Sequence, residues 1–251
     1  MEIPDFIKSI KGLSENTRRN YQASLDLLAR WIAGPEPTAE EIEAWLNTYD
    51  KASTLQRHKA AVNCYWRWRF KGKDNQLPFD RYTFHHSKKK IPQIMMPDTA
   101  EAIIDRCQDP DDVMFLRSLY MFGCRIRELL RTKLTDFVET GATMTVKGGN
   151  EQIKVVSPEF LAELRAYVGK RDGVMFPRGY DYYYTLIKRL GAAVGHPEAH
   201  PHGFRHARAI NLADNGKDAT YIADFLGHSN LATVMIYLKL SKQGLQSRLP
   251  K

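Results

Sequence analysis

The feature that most restricts the fold is a 36-residue run from His202 to Tyr237 that carries four chemically active side chains. His202 and Arg205 are three residues apart, and Tyr237 follows His228 by nine. Residues three apart lie on one face of a helix, so the run predicts a helix that presents a histidine and an arginine as neighbouring donors. Any fold of this chain must accommodate that helix.

The residue types in the run suit a phosphodiester. Its transition state is a dianion, and a chain that uses no Mg²⁺ must neutralise it with fixed cationic donors. Arginine suits this role because its planar guanidinium stays charged and binds phosphate through two parallel hydrogen bonds. Arg125, at the end of an apolar segment, is the candidate for a second arginine. Arg125 and Arg205 can together hold one phosphate.

Tyr237 is the candidate nucleophile. Serine, cysteine and tyrosine can all form a covalent phospho-intermediate, but no serine or cysteine here lies beside a histidine at a telling spacing. A phenol has a reference pKa of about 10 and is a good leaving group, so its link to DNA is reversible and resealing needs no ATP. Tyr183 or Tyr184 is the second choice.

These residues resemble the pattern of the tyrosine recombinases of the phage-integrase and Xer group. That family has an arginine in a G-x-R-x-x-E-L setting, a lysine in a β-hairpin, H-x-x-R, L-G-H and a tyrosine about nine residues later. The matching positions are Gly123–Leu129, Lys147, His202–Arg205, Leu226–His228 and Tyr237. By motif, the resemblance covers roughly residues 98 to 240.

The resemblance implies how the phosphate is held. Arg125 and Arg205 would hold the scissile phosphate, with His202 and His228 as further donors. His202 is also a candidate to accept the phenol's proton. Glu128 is expected to orient its neighbours rather than act as a base. No metal or other cofactor is expected.

Two lysines compete for the role of general acid. The turn at Gly148–Asn150 places Lys147 at a hairpin tip and Lys154 in the following strand. A tip lysine can reach into DNA, whereas strand lysines more often face solvent. Lys147 is therefore predicted to protonate the departing 5′-oxygen when Tyr237 attacks, which leaves a 3′-phosphotyrosine and a free 5′-hydroxyl.

His206 and Arg208 lie in the same helical segment and could be mistaken for site residues. A helix advances about 100° per residue, so both are expected to turn away from the face that carries His202 and Arg205. They are predicted to pack or to contact the phosphate backbone.

Positive charge is concentrated in the N-terminal part. Residues 51–90 hold 11 Lys and Arg against two Asp and Glu, a surplus of nine, whereas the whole chain has a net charge of +8. This predicts a surface that faces double-stranded DNA. The candidate contacts are Arg57, Lys59, Arg67, Arg69, Lys71, Lys73, Lys88, Lys89 and Lys90. Aromatic residues alternate with some of them, so one face of this helix is predicted to pack and the other to lie on phosphates.

The predicted fold is mostly α with a small antiparallel β-sheet, in the two-domain arrangement that the resemblance implies. The parts are a helical N-terminal core-binding domain (residues 1–85), a linker (86–97) and an α+β catalytic domain with a C-terminal tail (98–251). Three consecutive lysines and two prolines make the linker a poor core segment.

Local patterns predict the elements. In the first domain, a helix is expected from Ser14 to near Ala33, and capping boxes at Thr38–Glu41 and Ser53–Gln56 begin two more. In the second, Asp98 is the expected N-cap of a helical stretch broken at Pro110. Strands are expected at residues 143–146 and 152–156, and helices at 158–168, 180–194, 202–215, 218–226 and 230–240.

Cysteine spacing and hydropathy restrict the setting. Cys64, Cys107 and Cys124 are far apart and lack metal-binding spacing, so they are expected to be reduced thiols in a cytoplasmic protein. No leader and no run of about 18 apolar residues is found, so secretion and membrane spanning are not expected.

Two other functions fit part of this pattern: a type IB topoisomerase that relaxes DNA, and a catalytically silent DNA-binding regulator. The complete catalytic set argues against a mere binder, and the L-G-H spacing favours a recombinase. The family implies a tetramer on two DNA sites, with a monomer or weak oligomer when free. The tail after Leu240 is short, so its docking on a neighbouring subunit stays open.

Overall fold

The computed structural model describes residues 1–32, 34–71, 94–146, 149–169, 175–227 and 231–242. The chain forms two compact units, Met1–Pro92 and Gln93–Lys251. The predicted linker at 86–97 lies mostly outside the described residues, so it stays a prediction. None of the helices in the described part of the chain combines the length and apolarity needed to cross a membrane.

The regular secondary structure in the described residues of the first unit is entirely helical. Its helices are α1 (Ile3–Ser9), α2 (Glu15–Trp31), α3 (Ala39–Leu46) and α4 (Ala52–Arg69). They enclose a core in which the rings of Phe6 and Tyr65 meet edge to face, with centroids 5.4 Å apart. Helix α1 was not among the expected elements.

Two of the three predicted helix starts in this unit are confirmed. Ser14 accepts a hydrogen bond from the Thr17 backbone N–H, and Thr38 and Glu41 form a reciprocal capping box. The predicted box at Ser53 is wrong, because α4 already begins at Ala52 and its N-cap, Lys51, makes no side-chain cap.

The second unit combines helices with a three-stranded sheet. The helices are α5 (Pro97–Arg106), α6 (Pro110–Phe122), α7 (Ile126–Leu129), α8 (Pro158–Val168), α9 (Tyr180–Ala193), α10 (Pro201–Asp214), α11 (Ala219–Leu226) and α12 (Leu231–Leu240). The strands are β1 (Phe137–Val138), β2 (Gly141–Thr145) and β3 (Glu151–Val155), preceded by a 3₁₀ turn at Leu134–Asp136. The predicted class, mostly α with a small antiparallel sheet, is confirmed.

Prolines begin two helices where the patterns suggested other starts. Helix α5 has Pro97 in its first turn and Met96 as N-cap, so Asp98 is not the N-cap. Pro110 opens α6 rather than only interrupting a helix, and Asp109 caps it by accepting from two backbone N–H groups. Proline suits the first turn of a helix because the backbone N–H groups there have no intrahelical partner.

The sheet is antiparallel in the order β1-β2-β3. The register pairs Thr143 with Ile153 and Ala142 with Lys154. The short β1 was not predicted, because two residues are too few for an alternating pattern.

Helix α10 is central to the second unit. It packs against α5, α6, α11 and α12. The end of α6 leads into Arg125, α10 carries Arg205, and α12 carries Tyr237, so this packing brings distant parts of the chain to one site.

Candidate active site

Arg125 is held by a carboxylate that lies three residues further along. Its backbone N–H donates to Glu128 Oε2 at 2.8 Å, and its guanidinium Nη1 donates to Glu128 Oε1 at 2.7 Å. The Glu128 side chain is 6% exposed and that of Arg125 is 35% exposed. Glu128 therefore fixes the direction of the guanidinium and leaves part of it accessible to an anion.

Arg205 is completely buried in α10. Its Nη1 donates to the Gly123 carbonyl at 3.0 Å, and its Nη2 donates to the Leu226 carbonyl. Within the described residues, its Nε has no hydrogen-bond partner and the guanidinium makes no ion pair. Burial and the nearby Arg125 lower the pKa of Arg205 to about 10. This guanidinium connects the G-x-R, H-x-x-R and L-G-H segments.

Backbone geometry explains the glycine in each of the two flanking motifs. Gly123 ends α6 with φ of 54°, and a Cβ there would lie 2.9 Å from a Phe225 ring carbon. Gly227 ends α11 with φ of 67°, and a Cβ there would lie 2.5 Å from Gln152 Oε1. Left-handed backbone and close neighbours both favour glycine at these positions.

Three successive carbonyls at the end of α11 accept hydrogen bonds from side chains. Gln152 Nε2 donates to the carbonyl of Asp224, Lys154 Nζ to that of Phe225, and Arg205 Nη2 to that of Leu226. The last carbonyls of a helix lack intrahelical partners and carry partial negative charge, so donors and cations stabilise them. Strand β3 is thereby attached to the turn that precedes His228.

The prediction that Lys154 faces solvent is wrong. Lys154 does lie in a strand, but its side chain is 1% exposed and lies on the inner face of the sheet. Burial, followed by the charge of Arg205, lowers the pKa of Lys154 to about 8. A period of two shows that alternate strand residues share a face, but not which face is covered.

His202 opens onto a cationic cleft at the start of α10. The N-cap His200 accepts from the Gly203 backbone N–H through Nδ1 at 3.2 Å, and His202 itself is exposed. The cleft is lined by Arg125, Ile126, Arg127, Tyr180, Tyr184, Lys188, His200, Pro201 and His202. A helix N-terminus is also partially positive, so this cleft is suited to an anion.

Tyr237 lies inside the second unit beside the buried arginine. It is 1% exposed, and its hydroxyl lies 2.7 Å from His206 Nδ1. Burial raises the pKa of Tyr237, and the charge of Arg205 opposes that rise. The hydroxyl is therefore protonated at neutral pH and placed next to both an acceptor and a cation.

The expectation that His206 is turned away from the site is wrong. His206 follows His202 by four residues, about 40° around the helix, so the two share a face, and their ring centroids are 4.6 Å apart. The spacing could not show that α12 packs against α10 and places Tyr237 beside His206. His206 is thus a residue of the site that sequence reasoning missed. Arg208 fits the predicted packing role: it donates to Asn211 Oδ1 at 2.9 Å and lies over the ring of Phe225.

The second-choice nucleophiles have different surroundings. Tyr183 is buried in the core, with its ring stacked on Phe115 at a centroid distance of 3.4 Å. That position excludes contact with DNA. Tyr184 is exposed and lines the cationic cleft.

Several predicted site residues lie outside the described part of the chain. They are Lys73, Lys88, Lys89, Lys90, Lys147 and His228. Their assignments stay predictions.

Helix α4 has one packed and one polar face, as predicted. His58, Ala61, Val62 and Tyr65 are buried, while Arg57 and Arg67 are exposed and Lys59 is half-buried. Lys71, two residues after the helix, is also exposed. Arg69 is exposed too, but its guanidinium pairs with Glu36 at 3.2 Å and with Glu2 at 3.5 Å. The exposed side chains other than Arg69 are therefore the better candidates for phosphate contacts.

Comparison with known proteins assigns the family. Residues 88–244 match the phage integrase family, and residues 4–72 match the phage integrase N-terminal SAM-like domain. Because the first match covers more than half of the chain, the chain belongs to the phage integrase family. It is a tyrosine recombinase, an enzyme of DNA strand cleavage and transfer.

Individual relatives agree with this assignment. Tyrosine recombinase XerC of Mycobacterium sp. (strain JLS) is 26% identical, over 94% of this chain and 92% of the relative. Tyrosine recombinase XerA of Pyrococcus horikoshii is 26% identical, over 96% of this chain and 89% of the relative.

A solved structure shares the fold. Lambda integrase (residues 75–356), a dimer bound to a COC′ core site, matches with a TM-score of 0.75 at 16% identity, over 99% of this chain and 96% of that chain.

Proposed function

We propose that this chain is a site-specific recombinase that cleaves and rejoins double-stranded DNA through a 3′-phosphotyrosine at Tyr237, without metal or ATP. The observation that carries the proposal is the meeting of Arg125, Arg205 and Tyr237, which are distant in sequence, around one cationic site. Integration or excision of a mobile element and resolution of DNA dimers are the roles that fit this chemistry.

The charges of the two arginines suit a scissile phosphate. Arg205 is buried without a carboxylate partner among the described residues, and Arg125 has one carboxylate, Glu128. Two guanidiniums near one carboxylate leave a net positive charge, which an anionic phosphate would offset. Fixed donors of this kind stabilise the additional negative charge of the transition state without having to reorient. His202 would add a donor from the cleft, and His228 is assigned as a further donor.

The general acid is assigned to Lys147. The alternative, Lys154, is 1% exposed and its amine donates to the Phe225 carbonyl, so it is poorly placed to reach a DNA oxygen. Lys147 would protonate the 5′-oxygen as the phosphorus–oxygen bond breaks. Glu128 orients Arg125 and is not assigned a proton-transfer role.

The first unit would bind the DNA backbone through α4. Its exposed Arg57 and Arg67, with Lys71 just after the helix, would contact phosphates, together with the less exposed Lys59 and the paired Arg69. Lys73 and the lysines at 88–90 extend this assignment outside the described residues. Such contacts supply affinity and position the protein but do not by themselves read a sequence.

Assembly and location follow from the reaction. Exchange of strands between two duplexes requires four cleaving subunits, and one matched structure is a lambda integrase tetramer bound to a Holliday junction. We assign a tetramer on two DNA sites and a monomer or weak oligomer in the absence of DNA. The DNA substrate and the three free cysteines support a cytoplasmic location.

The test is covalent capture of DNA. Tyr237→Phe removes the attacking oxygen and keeps the ring, so it should abolish capture of a nicked target site while DNA affinity stays within about twofold, because a nucleophile makes little contribution to binding. Tyr221→Phe, at an exposed tyrosine of α11 away from the cleft, is the matched control and should capture DNA normally. Capture is measured as a slow-migrating band on a denaturing gel, and capture by Tyr237→Phe would refute the assignment.

A further inference from the structure

We propose that His206, rather than His202, accepts the proton of the Tyr237 phenol when the phenol attacks phosphorus. This rests on the proposed function of Tyr237 as the nucleophile. It assigns a further catalytic residue, since His206 touches the reacting oxygen.

The hydrogen bond between the two side chains is the primary observation. His206 Nδ1 and the Tyr237 hydroxyl oxygen are 2.7 Å apart, and their ring centroids are 5.5 Å apart. A general base must lie within hydrogen-bond distance of the proton that it removes, about 2.6–3.2 Å between heavy atoms. Within the described part of the chain, His206 is the hydrogen-bond partner of this hydroxyl. His202 is an exposed residue of the cleft.

The charge state of His206 fits the role of acceptor. Burial, followed by His202, His200 and Arg205, lowers its pKa to about 4. The ring is therefore neutral at pH 7, and Nδ1 can accept while the ring proton resides on Nε2. A phosphate held by Arg125 and Arg205 would offset the repulsion from Arg205, so substrate binding would make His206 a stronger base.

Arg205, the guanidinium assigned to the phosphate, lies beside Tyr237 and is buried to a similar extent. Arg205 is as fully buried as Tyr237, and each perturbs the pKa of the other. A phosphate that reaches Arg205 would therefore also come close to the phenol. The exposed His202 ring lies 4.6 Å from the His206 ring, which places the half-buried base beside a group in contact with solvent.

The step balances. The O–H bond of Tyr237 breaks as its oxygen bonds to phosphorus, and the proton passes to His206 Nδ1. The bond from phosphorus to the 5′-oxygen breaks with its electron pair on oxygen, and this oxygen takes a proton from Lys147. Religation reverses both transfers, so protonated His206 returns its proton to the departing phenolate.

The experiment combines three His206 variants with a change at the nucleophile. On a nicked DNA substrate that traps the first cleavage, His206→Ala should slow covalent capture by about 100-fold or more, the usual contribution of a general base. His206→Asn keeps an acceptor near the position of Nδ1 but cannot take a proton, and should be equally slow. His206→Gln should not restore the rate.

A fluorinated tyrosine at position 237, whose phenol ionises near neutral pH, needs no base. It should bring His206→Ala to within about 10-fold of the fluorinated enzyme with His206 intact. The same substitution should not rescue His202→Ala, whose assigned loss is a phosphate donor. Thermal unfolding and DNA affinity of each variant serve as checks on folding.

The outcomes are distinguishable. Capture by His206→Ala at the normal rate, recovery in His206→Asn, or no rescue by the fluorinated tyrosine would each overturn the assignment of His206 as base. Failure of the unmodified protein to capture DNA would instead refute the proposed function.

Discussion

The first unit exposes the cations assigned to DNA, whereas the second unit buries two of the cations at its candidate site. In the first, Arg57 and Arg67 on α4 and Lys71 just after it are exposed to solvent. In the second, Arg205 and Lys154 are almost completely buried and donate to backbone carbonyls. Exposed cations attract DNA at little cost in desolvation, whereas buried cations cost stability and gain a fixed direction. Under the proposed function, this difference would separate attraction to DNA by the first set from stabilisation of the transition state, which is assigned to Arg205.

Because Arg205 is buried, few residues can replace it, whereas the exposed cations of the first unit tolerate exchange. A surface lysine can substitute for a surface arginine, because both attract phosphate through a flexible chain. Arg205 uses two separate nitrogens for the carbonyls of Gly123 and Leu226, and an ammonium group cannot match that planar geometry.

The largest expected effect is therefore the difference between two exchanges of arginine for lysine, one in each unit. Arg205→Lys should reduce the rate of covalent capture by about 10³-fold, near 4 kcal/mol, because it loses donors to the phosphate and to both carbonyls. Arg67→Lys, the matched change on α4, should leave capture and affinity within about twofold. Single-turnover capture assays measure both. Equal losses of capture rate in Arg205→Lys and Arg67→Lys would show that the buried arginine is no harder to replace than the exposed one.

Removing the buried lysine should change how stability depends on pH. Burial lowers the folded-state pKa of Lys154 to about 8 from a reference of 10.5, so its burial cost is complete below pH 8 and disappears as pH rises toward 10.5. The wild type should therefore gain on the order of 2 kcal/mol between pH 8 and 10.5 from this group, and Lys154→Met should lack that gain.

Urea unfolding at several pH values measures the difference between the two proteins. Lys71→Met, an exposed lysine in the first unit, is the control and should follow the wild type. Parallel curves for wild type and Lys154→Met would contradict the lowered pKa.

A smaller effect is expected from the carboxylate that orients Arg125. Glu128→Gln keeps the shape of the side chain but removes its charge, so Arg125 should be less well directed and capture should slow by about 10-fold. DNA affinity should change little. The control is Glu163→Gln, which removes a partly exposed partner of Arg117 on the surface and should not alter capture. An unaffected rate in Glu128→Gln would show that Arg125 does not need this partner.

The smallest effects belong to single cations of α4. Arg57→Gln or Arg67→Gln should weaken DNA binding a few-fold for all sequences and reduce the slope of log affinity against log salt by about one. Arg69→Gln should have less effect, because Glu36 and Glu2 already engage that guanidinium. Binding titrations at several salt concentrations measure the slopes. A larger slope change for Arg69 than for Arg67 would show that Arg69, and not Arg67, is the main phosphate contact.

Local signals explain which elements could be predicted. Ser157 and Asp218 cap α8 and α11 through side chains that bond backbone groups three residues away, and the predicted bounds of both helices agree closely with the structure. Helix α1 was missed because seven residues give barely two turns of periodicity. The start of α5 was misplaced because Pro97 and Asp98 are both acceptable in a first turn.

The candidate site likewise contains residues that local patterns identified and residues that they did not. Motif spacing identified Arg125, Arg205 and Tyr237, and the structure brings them together. His206 was misjudged although it lies four residues from His202 on the same helical face, and its partner Tyr237 is on the remote helix α12. Lys154 was misjudged because α11, also remote in sequence, covers its side of the sheet.

The amino-acid sequence by itself determined the order of the motifs, the types of reactive side chain, the main helices and the concentration of charge in the N-terminal part. Each of these depends on neighbouring residues or on simple counting. Only the tertiary structure decided which cations are buried and which histidine meets the phenol. Arg205 contacts Gly123 across 82 residues and His206 contacts Tyr237 across 31, and such contacts arise from the packing of helices that no local period specifies.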